Sequence, residues 1–358
     1  MDHVLYFVGA GLTKSLQRPG RPVPMMNDFV SVMADYVENN VILTTLAQWE
    51  VLHDPPYKYR LQGIVDLARP LADSRDRSPE RRAAFRRALK NRPAESIEEL
   101  LASAMLKESE PLPGLVATRF RYGINRVFQI IEWDLSLSPL LLFLQRQLAL
   151  AGSHTFVSFN YDLVLDYAIS RVLRRPALGA LYGLDKTNPD PKVKLIKPHG
   201  SLNFIGNLKI PYTHTKYGLS FEEGKPEIPG KDSGEVRYWT DTTDFKEPCI
   251  VPPVASKPEA LKELGLSFLE GLREAEKQAI ESADTVYVIG WSIPETDDDQ
   301  MDLIRSSMCG RLLRKLVVVN LAARLCYFSK AADLFGVTID KMTIHNAGFC
   351  EFVEAALR

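Results

Sequence analysis

The second half of the chain alternates short apolar runs with helical patterns, and this alternation constrains the fold more than any other feature. The first run, VLYFV, opens the chain, and those after residue 150 are HTFVSFN, VKLIKPHG, PCIVPPVASK, DTVYVIGWS, KLVVVN and KMTIHN. Short apolar runs that alternate with helices are typical of parallel strands buried on both faces. The sequence therefore predicts an α/β fold: a Rossmann-like, mostly parallel sheet with helices on both faces.

The segment between the first strand and residue 150 has a different pattern. From about Met25 onward Leu, Ala, Arg and Glu are abundant and apolar residues recur at three- to four-residue spacing, which favours helices. We therefore expect a Rossmann-like domain made of residues 1–24 and 150–358, with a large helical insertion at 25–149. Residues 205–247 are rich in Gly, Tyr, Thr, Lys and Asp, and we expect a surface excursion there, with a hairpin as one form.

The insertion carries two helix-start signals and a basic stretch. Ser78 followed by Pro79 offers an N-cap and a proline at the first helical position, and SIEE at 96–99 fits a capping box. The stretch RDRSPERRAAFRRALKNR concentrates positive charge and has an apolar side. We interpret it as a solvated helix face, with a protein or nucleic-acid contact as the alternative.

Composition and charge exclude several classes of function. Lys and Arg total 44 against 45 for Asp and Glu, so the formal charge is −1 and no global field favours nucleic acid or an anionic membrane. The cysteines contain no C-x-x-C pair, so neither a disulfide framework nor a zinc site is suggested; they are Cys249, Cys309, Cys326 and Cys350. We expect no metal.

The apolar runs are also too short for a membrane or a secretion signal. The first, Val4 to Val8, follows an acidic second residue, and no later stretch approaches about twenty apolar residues. The sequence therefore predicts a cytoplasmic protein with no membrane partner.

Almost every apolar run ends in small or polar residues of a kind that can hold a ligand. In an open parallel sheet, ligands bind in the crevice beyond the carboxyl ends of the strands, so one pocket could collect all of these residues. In chain order they are Gly9, Ala10 and Gly11; Asn160 and Asp162; His199, Gly200 and Ser201; Pro252, Pro253 and Lys257; Gly290, Trp291 and Ser292; and Asn320.

Each of these residues, taken singly, also has a purely structural interpretation. The G-x-G of Gly9 and Gly11 suits a tight strand-to-helix turn as well as phosphate binding, because Lys14 stands where the third glycine of the dinucleotide fingerprint would be. Asn160 or Asp162 could cap the helix that follows. A lone histidine such as His199 is more often structural than a base. Ser292 and Asn320 are common strand-end turn residues.

Order and spacing together give a resemblance to a known family. The chain resembles the sirtuin-like superfamily in several segments: VGAGLTKS, SFNYD, KPHGS, VIGWSIPETD and VVVN, together with IVPP and a later lysine. Within it they are most similar to the bacterial sirtuin-like proteins known as NAD-depleting effectors of antiphage defence. The resemblance covers roughly residues 3–24, 150–204 and 248–358, and a helical insertion after the first strand is also a feature of that family.

The resemblance implies an NAD site and a role for each matching residue. Gly9, Ala10 and Gly11, with Thr13 in place of the family's usual serine, would line the dinucleotide. Asn160 and Asp162 match the family's T-Q-N-x-D. His199 matches its catalytic histidine. Gly290 and Ser292 match its G-x-S, and Asn320 matches the asparagine that contacts the adenine ribose. We therefore predict Asn160 and His199 as catalytic residues and the others as NAD-binding residues.

Two departures from the family's deacylases argue against protein deacylation. Phe159 replaces the glutamine that precedes the asparagine, and the zinc module with paired C-x-x-C motifs is absent from the sequence. The predicted function is thus an NAD⁺ hydrolase that cleaves the nicotinamide–ribosyl bond, acting as an antiphage defence effector by abortive infection. The alternatives are a non-catalytic NAD or ADP-ribose sensor and a deacylase.

The resemblance also implies partners. Members of this kind are silent until they assemble or are triggered, so we expect a homo-oligomer. A partner ATPase, nuclease or sensor protein of a defence system is a further expectation, whereas the sequence gives no strong signal for direct nucleic-acid binding.

Overall fold

A computed structural model describes residues 2–19, 22–25, 32, 79–90, 135–184, 192–209, 214–215, 218–238, 246–251, 257–294, 297–321 and 325–356. Most of the predicted insertion at 25–149 lies outside these residues. The capping box at 96–99 and the strand-end residues Pro252 and Pro253 lie outside them as well.

Ten strands are found in the described residues, and six of them form the main sheet. Its order is β10-β9-β8-β1-β2-β3, and every neighbouring pair is parallel. The strands are β1 (His3–Val8), β2 (Ser153–Ser158), β3 (Val193–Ile196), β4 (Gly200–Asn207), β5 (His214–Thr215), β6 (Gly218–Leu219), β7 (Lys246–Ile250), β8 (Thr285–Ile289), β9 (Lys315–Val319) and β10 (Met342–His345).

The order of the main sheet is that of a doubly wound fold. When its six strands are counted along the chain, they run 6-5-4-1-2-3 across the sheet, which is the Rossmann order. The helices are α1 (Ala10–Ser15), α2 (Pro79–Lys90), α3 (Ser138–Ala149), α4 (Val164–Val172), α5 (Leu178–Leu181), α6 (Lys257–Leu264), α7 (Phe268–Ser282), α8 (Asp298–Met308), α9 (Leu325–Leu334) and α10 (Phe349–Ala355), with a 3₁₀ turn at Ile339–Lys341. The predicted Rossmann-like α/β class is confirmed.

Both faces of the sheet are covered. All six residues of β1 are buried, and successive side chains of a strand point to opposite faces. The ring of Tyr6 meets Phe143 of α3 edge-on at 6.0 Å, while that of Phe7 packs against Phe335, just after α9, at 5.5 Å. Helices therefore pack on the two sides, as predicted.

Helix α3, the last part of the predicted insertion, packs on this core. Leu140, Phe143, Leu144 and Leu148 are its buried residues, and their three- to four-residue spacing forms one apolar stripe. Helix α2 begins at Pro79, where the proline signal predicts a start. The domain boundaries at residues 24 and 149 remain a prediction.

The apolar run PCIV does not join the main sheet. It forms β7, which pairs antiparallel with β4. The reason lies in the turn after β3: Gly200 has φ of +84°, and a β-carbon there would lie 2.0 Å from the carbonyl oxygen of Cys249. This reversal sends β4 directly back beside β7, so both strands leave the parallel order.

The described parts of 205–247 contain the short β5–β6 hairpin and a packed base. Ile205, Leu208, Phe221 and Ile228 are buried, and the last three belong to the main core. The excursion is thus anchored to the Rossmann-like part by its apolar residues. Among the described helices, none combines the length and the apolar character that a membrane crossing requires.

Candidate active site

The candidate site lies where the winding of the sheet changes direction. Strands β1 and β8 are neighbours, yet the chain proceeds from β1 towards one edge of the sheet and from β8 towards the other. In doubly wound folds ligands bind in the crevice at this switch point, beyond the carboxyl ends of the strands. Gly9 follows β1 there, and Gly290 follows β8.

The glycines at the switch point allow two backbones to touch. The amide of Gly11 donates to the carbonyl oxygen of Gly290 at 2.8 Å. Gly290 has φ of +60°, and a β-carbon on it would lie 2.3 Å from the backbone nitrogen of Leu12. A β-carbon on Gly9 would lie 2.5 Å from the Cα of Trp291. The tight-turn interpretation therefore accounts for these glycines, and phosphate binding by Gly9, Ala10 and Gly11 remains a prediction.

Four residues of the first two strand ends form one hydrogen-bond network. The side-chain nitrogen of Asn160 donates to the carbonyl oxygen of Gly9 at 3.2 Å and to the hydroxyl of Thr13 at 3.3 Å. Thr13 in turn donates to Asp162 Oδ2 at 2.9 Å. Because a carbonyl oxygen only accepts, the orientation of the Asn160 amide is fixed. Its oxygen, Oδ1, accepts no hydrogen bond from the residues described.

Asp162 supports this network and the start of α4. The amide of Val164, the first residue of α4, donates to Asp162 Oδ1 at 3.1 Å, although the N-cap residue itself is Leu163. Burial is the largest influence on the carboxyl and raises its pKa, which nearby Lys197 and the Thr13 hydrogen bond oppose. By contrast, the side chain of Asn160 is engaged by Gly9 and Thr13 and does not cap α4.

A fully buried ion pair holds the second and third strand ends together. Lys197 donates to the carbonyl oxygen of Asp162 at 2.6 Å and pairs with Asp166 Oδ2 at 3.1 Å. Tyr182 donates its hydroxyl hydrogen to Asp166 Oδ1 at 2.6 Å. The sequence analysis missed Lys197 and Asp166. A lysine at the end of a buried run was the available signal, because burial of such a cation requires a partner.

His199 lies in the turn between β3 and β4, under the ring of Phe159. The two ring centroids are 5.4 Å apart, and 8 % of His199 is exposed. Burial, together with a smaller effect of the positive charge of Lys257, lowers the pKa of His199 to about 4, against the opposing charges of Asp297 and Asp299. The imidazole is therefore neutral at pH 7.

Two charged residues flank this histidine: Lys257, which the sequence analysis named among the strand-end residues, and Asp297, which it did not name. Asp297 Oδ1 lies 4.0 Å from His199 Nε2, and the same oxygen accepts a hydrogen bond from Lys257. Both Asp297 and Lys257 are buried, at the starts of α8 and α6. The available sequence signal was that each follows an apolar run. Their contact, however, depends on how α6 and α8 pack against each other.

The Phe159 ring joins the two sides of the site. Its centroid lies 4.5 Å from that of Trp291 and 5.4 Å from that of His199. Asn160 follows Phe159 directly in the chain, and no hydrogen bond connects Asn160 with His199 in the described ranges. The imidazole thus contacts the residue that precedes Asn160.

The remaining predicted residues lie around the ends of β8 and β9. The side chain of Asn320 donates to the carbonyl oxygen of Trp291 at 3.4 Å, and Tyr327 donates to the same oxygen at 2.6 Å. Ser292 is exposed, and Ala10 is partly exposed at the start of α1. Within the described residues no group of three or more His, Cys, Asp or Glu side chains is arranged to hold a metal ion.

Comparisons with known proteins assign the chain to no family. No protein-family model matches it, and no curated protein matches it. A crystal structure of Sir2 with an inhibitor, 2′-O-acetyl-ADP-ribose and a deacetylated peptide is 16% identical, with a TM-score of 0.33 over 99% of this chain and 92% of that one.

A second solved structure, described as the structural basis of sirtuin substrate affinity, is 15% identical, with a TM-score of 0.32 over 99% of this chain and 93% of that one. Likeness of this size assigns no family to the chain. The fold class stated above rests on the strand order of the chain itself.

Proposed function

We propose that the chain is an NAD⁺ hydrolase, which releases nicotinamide and ADP-ribose. The observation that carries this proposal is the state of Asn160: its nitrogen is held by Gly9 and Thr13, while its oxygen accepts no hydrogen bond within the described residues. A fixed amide with an available acceptor lies at the switch point of a Rossmann-like sheet, and a neutral imidazole contacts the preceding residue, Phe159. We infer that this combination suits hydrolysis of a bound dinucleotide.

The reaction needs one base and no general acid. The bond between ribose C1′ and the pyridinium nitrogen breaks with its electron pair, so nicotinamide leaves as a neutral molecule. Water adds to C1′ through an oxocarbenium-like transition state, as in glycoside hydrolysis. The only proton to be removed is that of the attacking water or of a ribose hydroxyl.

The two catalytic residues take separate parts in this step. Asn160 Oδ1 accepts a hydrogen bond from the water or a ribose hydroxyl and thereby orients it. Neutral His199 accepts the proton, since its pKa of about 4 keeps it unprotonated at neutral pH. General-base assistance of this kind is typically worth about 10²- to 10⁴-fold in rate.

The other predicted residues bind and position the dinucleotide. The residues proposed to contact the dinucleotide in the crevice are Gly9, Ala10, Gly11, Gly290, Ser292 and Asn320. Asp162 acts through the hydroxyl of Thr13, which donates to the carboxylate and accepts from Asn160, and so keeps the amide in place.

The biological role follows from the resemblance set out above. We propose that the chain depletes NAD⁺ as a cytoplasmic antiphage defence effector, that it assembles as a homo-oligomer, and that a partner ATPase, nuclease or sensor triggers it. None of these partners is identified by the contacts described.

An NAD⁺ turnover assay tests the proposal. Purified protein, over a range of concentrations and with candidate partners, is expected to release nicotinamide, and Asn160→Ala and His199→Ala are each expected to abolish release. Asn207→Ala, at an exposed position of β4, is the matched control and should keep full turnover. Full turnover in both site variants would refute the mechanism.

A sensor that binds NAD without cleaving it is the second candidate. The observation that favours it is the low pKa of His199, since an imidazole with a pKa of about 4 is a weak base. Tight NAD binding without nicotinamide release under any condition would support the sensor. Formation of O-acyl ADP-ribose from an acyl-lysine peptide would instead indicate a deacylase.

A further inference from the structure

A second cavity, away from the switch point, runs along α4. Its volume is about 970 Å³, at the upper end of what small-molecule sites occupy, and it lies between α4, the residues that precede α3 and the segment 234–238. None of the predicted NAD-site residues lines it. It is therefore a separate site and needs its own explanation.

The cavity has an apolar floor and a positively charged rim. Leu135, Leu163 and Val164 are buried in the floor, and the ring of Tyr167, which is 43% exposed, lies at its edge. Four arginines and a single glutamate, Glu235, supply the charged residues of the lining; the arginines are Arg171, Arg174, Arg175 and Arg237. The lining therefore favours an anionic ligand that also has an aromatic or apolar part.

The glutamate is already engaged. Arg237 forms an ion pair with Glu235. Within the part of the chain that the structure describes, the guanidinium groups of Arg171, Arg174 and Arg175 form no hydrogen bond or ion pair. Three cations at one rim repel each other, and a polyanion would remove that repulsion.

Two of these arginines occupy backbone positions that favour glycine. Arg174 and Arg175 have φ of +60° and +62°. They follow the end of α4 in a Schellman-type turn, in which the amide of Arg175 donates to the carbonyl oxygen of Ser170 at 2.8 Å. Glycine is the usual residue in that conformation, because side chains there cost about 1–2 kcal/mol each. The turn itself does not require arginine, so the strain indicates another role for these side chains.

The segment 234–238 forms another wall of the cavity and is held against the end of α4. Ser170 donates its hydroxyl hydrogen to the carbonyl oxygen of Gly234 at 2.5 Å. A β-carbon on Gly234, which has φ of +65°, would lie 2.5 Å from the backbone of Arg175. The segment 234–238 is thus seated closely on the turn that carries the arginines, and the cavity is formed by backbone contacts.

We propose that this cavity binds a nucleotide with two or more phosphate groups. Arg171, Arg174 and Arg175 hold the phosphates, since guanidinium groups pair with phosphate oxygens through two parallel hydrogen bonds. The exposed ring of Tyr167 stacks on the base, above the apolar floor. The proposal goes beyond NAD⁺ hydrolysis and does not depend on it, because the two sites share no residue.

The test is isothermal titration of the full chain with ATP, AMP, inorganic triphosphate and dodecyl phosphate. We expect ATP to bind more tightly than AMP, which has one phosphate, and than inorganic triphosphate, which has no base. In the double variant Arg174→Gly/Arg175→Gly, ATP affinity should fall about tenfold or more, the effect of losing at least one charge-assisted contact.

The glycine substitutions keep the test interpretable. Both positions favour glycine, so the double variant should fold with a melting temperature equal to or above that of the wild type. Asn160→Ala should leave this affinity unchanged, which separates the cavity from the NAD site. Arg305→Ser, on the exposed face of α8, is the matched control for loss of one surface arginine and should bind ATP as the wild type does.

Three results would overturn the proposal. The first is absence of ATP binding to the wild type, and the second is unchanged ATP affinity in the glycine double variant. The third is tighter binding of dodecyl phosphate than of ATP, which would identify an alkyl phosphate, the lipid-like source of the same charge, as the ligand. Absence of NAD⁺ hydrolysis would bear only on the function proposed for the switch point.

Discussion

The asparagine side and the histidine side of the proposed site are held in place by different forces. Asn160 is fixed by two hydrogen bonds from its nitrogen, and Thr13 extends this network to Asp162. Asp297 Oδ1 lies 4.0 Å from His199 Nε2, and burial and the charge of Lys257 lower the pKa of His199. The asparagine side should therefore respond to changes of geometry, and the histidine side to changes of charge.

The largest expected effect tests whether the asparagine side depends on the contact between backbones. Gly290→Ala places a β-carbon 2.3 Å from the backbone nitrogen of Leu12, at a residue with φ of +60°. We expect the free energy of unfolding to fall by about 3 kcal/mol or more and nicotinamide release to be lost, because the turn that holds Gly9 must shift. Urea denaturation and the turnover assay measure the two effects.

Gly310→Ala is the matched control. Gly310 also has a positive φ, +73°, but a β-carbon there would meet nothing within 4 Å. Its substitution should cost only the backbone strain, about 1 kcal/mol, with activity kept. Equal losses in the two variants would show that close approach at the switch point is unimportant.

The second expected effect concerns Thr13, which we infer to be a positioning residue. Thr13→Val keeps the shape and removes the hydroxyl that bridges Asn160 and Asp162. Loss of a hydrogen bond to a charged group costs about 1.5–3 kcal/mol, so kcat should fall roughly 10- to 100-fold, with a smaller change in KM. Thr13→Ser, which keeps the hydroxyl, should restore most of the rate; failure of serine to do so would contradict this role.

The third expected effect is on the pH dependence of kcat/KM. The base form of His199 is present above its pKa of about 4, so activity should be lost as pH falls through about 4 rather than through 6.5. Lys257→Met removes a cation that lowers this pKa and should move the acid limb to higher pH, by about one unit. Asp297→Asn removes an anion that raises it and should move the limb to lower pH.

Two further charges act on His199 and set the control for this experiment. Asp299 raises the pKa and Arg273 lowers it, and the two form an ion pair at 2.7 Å. Removal of both charges together should therefore leave the acid limb of the pH profile close to that of the wild type. If the acid limb moved in the same direction in Lys257→Met and Asp297→Asn, these charges would not determine the pKa of His199.

The smallest expected effect lies behind the histidine side, on α7. Glu276 is fully buried, accepts a hydrogen bond from Gln300, and burial raises its pKa to about 8 from the ordinary 4.5. The folded state thus binds this proton more tightly than the unfolded chain does. Its contribution to stability is complete below about pH 4.5 and is lost as pH rises through about 8.

Thermal unfolding between pH 7 and pH 9 measures this contribution. The melting temperature of the wild type should fall by roughly 2–5 °C more than that of Glu276→Gln over this range. Glu281→Gln, at an exposed position of the same helix, should behave as the wild type does. Parallel curves for the wild type and Glu276→Gln would mean that Glu276 is ionised in the folded state.

The sheet was predictable because strands buried on both faces have nearly continuous apolar sequences. The runs that became β1, β2, β3, β8 and β9 are of this kind, whereas β10, at the edge of the sheet, is only partly buried. The run before Pro252 is also apolar, yet it pairs antiparallel as β7. Burial decides the residue types of a strand, whereas its partner depends on the turn at Gly200, which no apolar pattern encodes.

The asparagine side of the site was more predictable than the histidine side, where His199 and Lys257 were named but Asp297 was not. Gly9, Thr13 and Asn160 follow neighbouring strands, so the rule for carboxyl ends brings them together. Asp297 and Lys257 meet through the approach of two helices, which depends on packing. Glu276 gave an available signal, since it falls at apolar spacing between Leu272 and Ala279 on the buried stripe of α7.

The contact between Phe159 and Trp291 should make tryptophan fluorescence sensitive to ligand binding at the site. The Phe159 ring lies between His199 and the indole of Trp291, whose buried nitrogen has no hydrogen-bond partner among the residues that the structure describes. A molecule that displaces or covers this ring alters the surroundings of the indole, and tryptophan emission is sensitive to such surroundings. Occupancy of the crevice should thus be visible as a fluorescence change in the unlabelled protein, even in variants that no longer turn over.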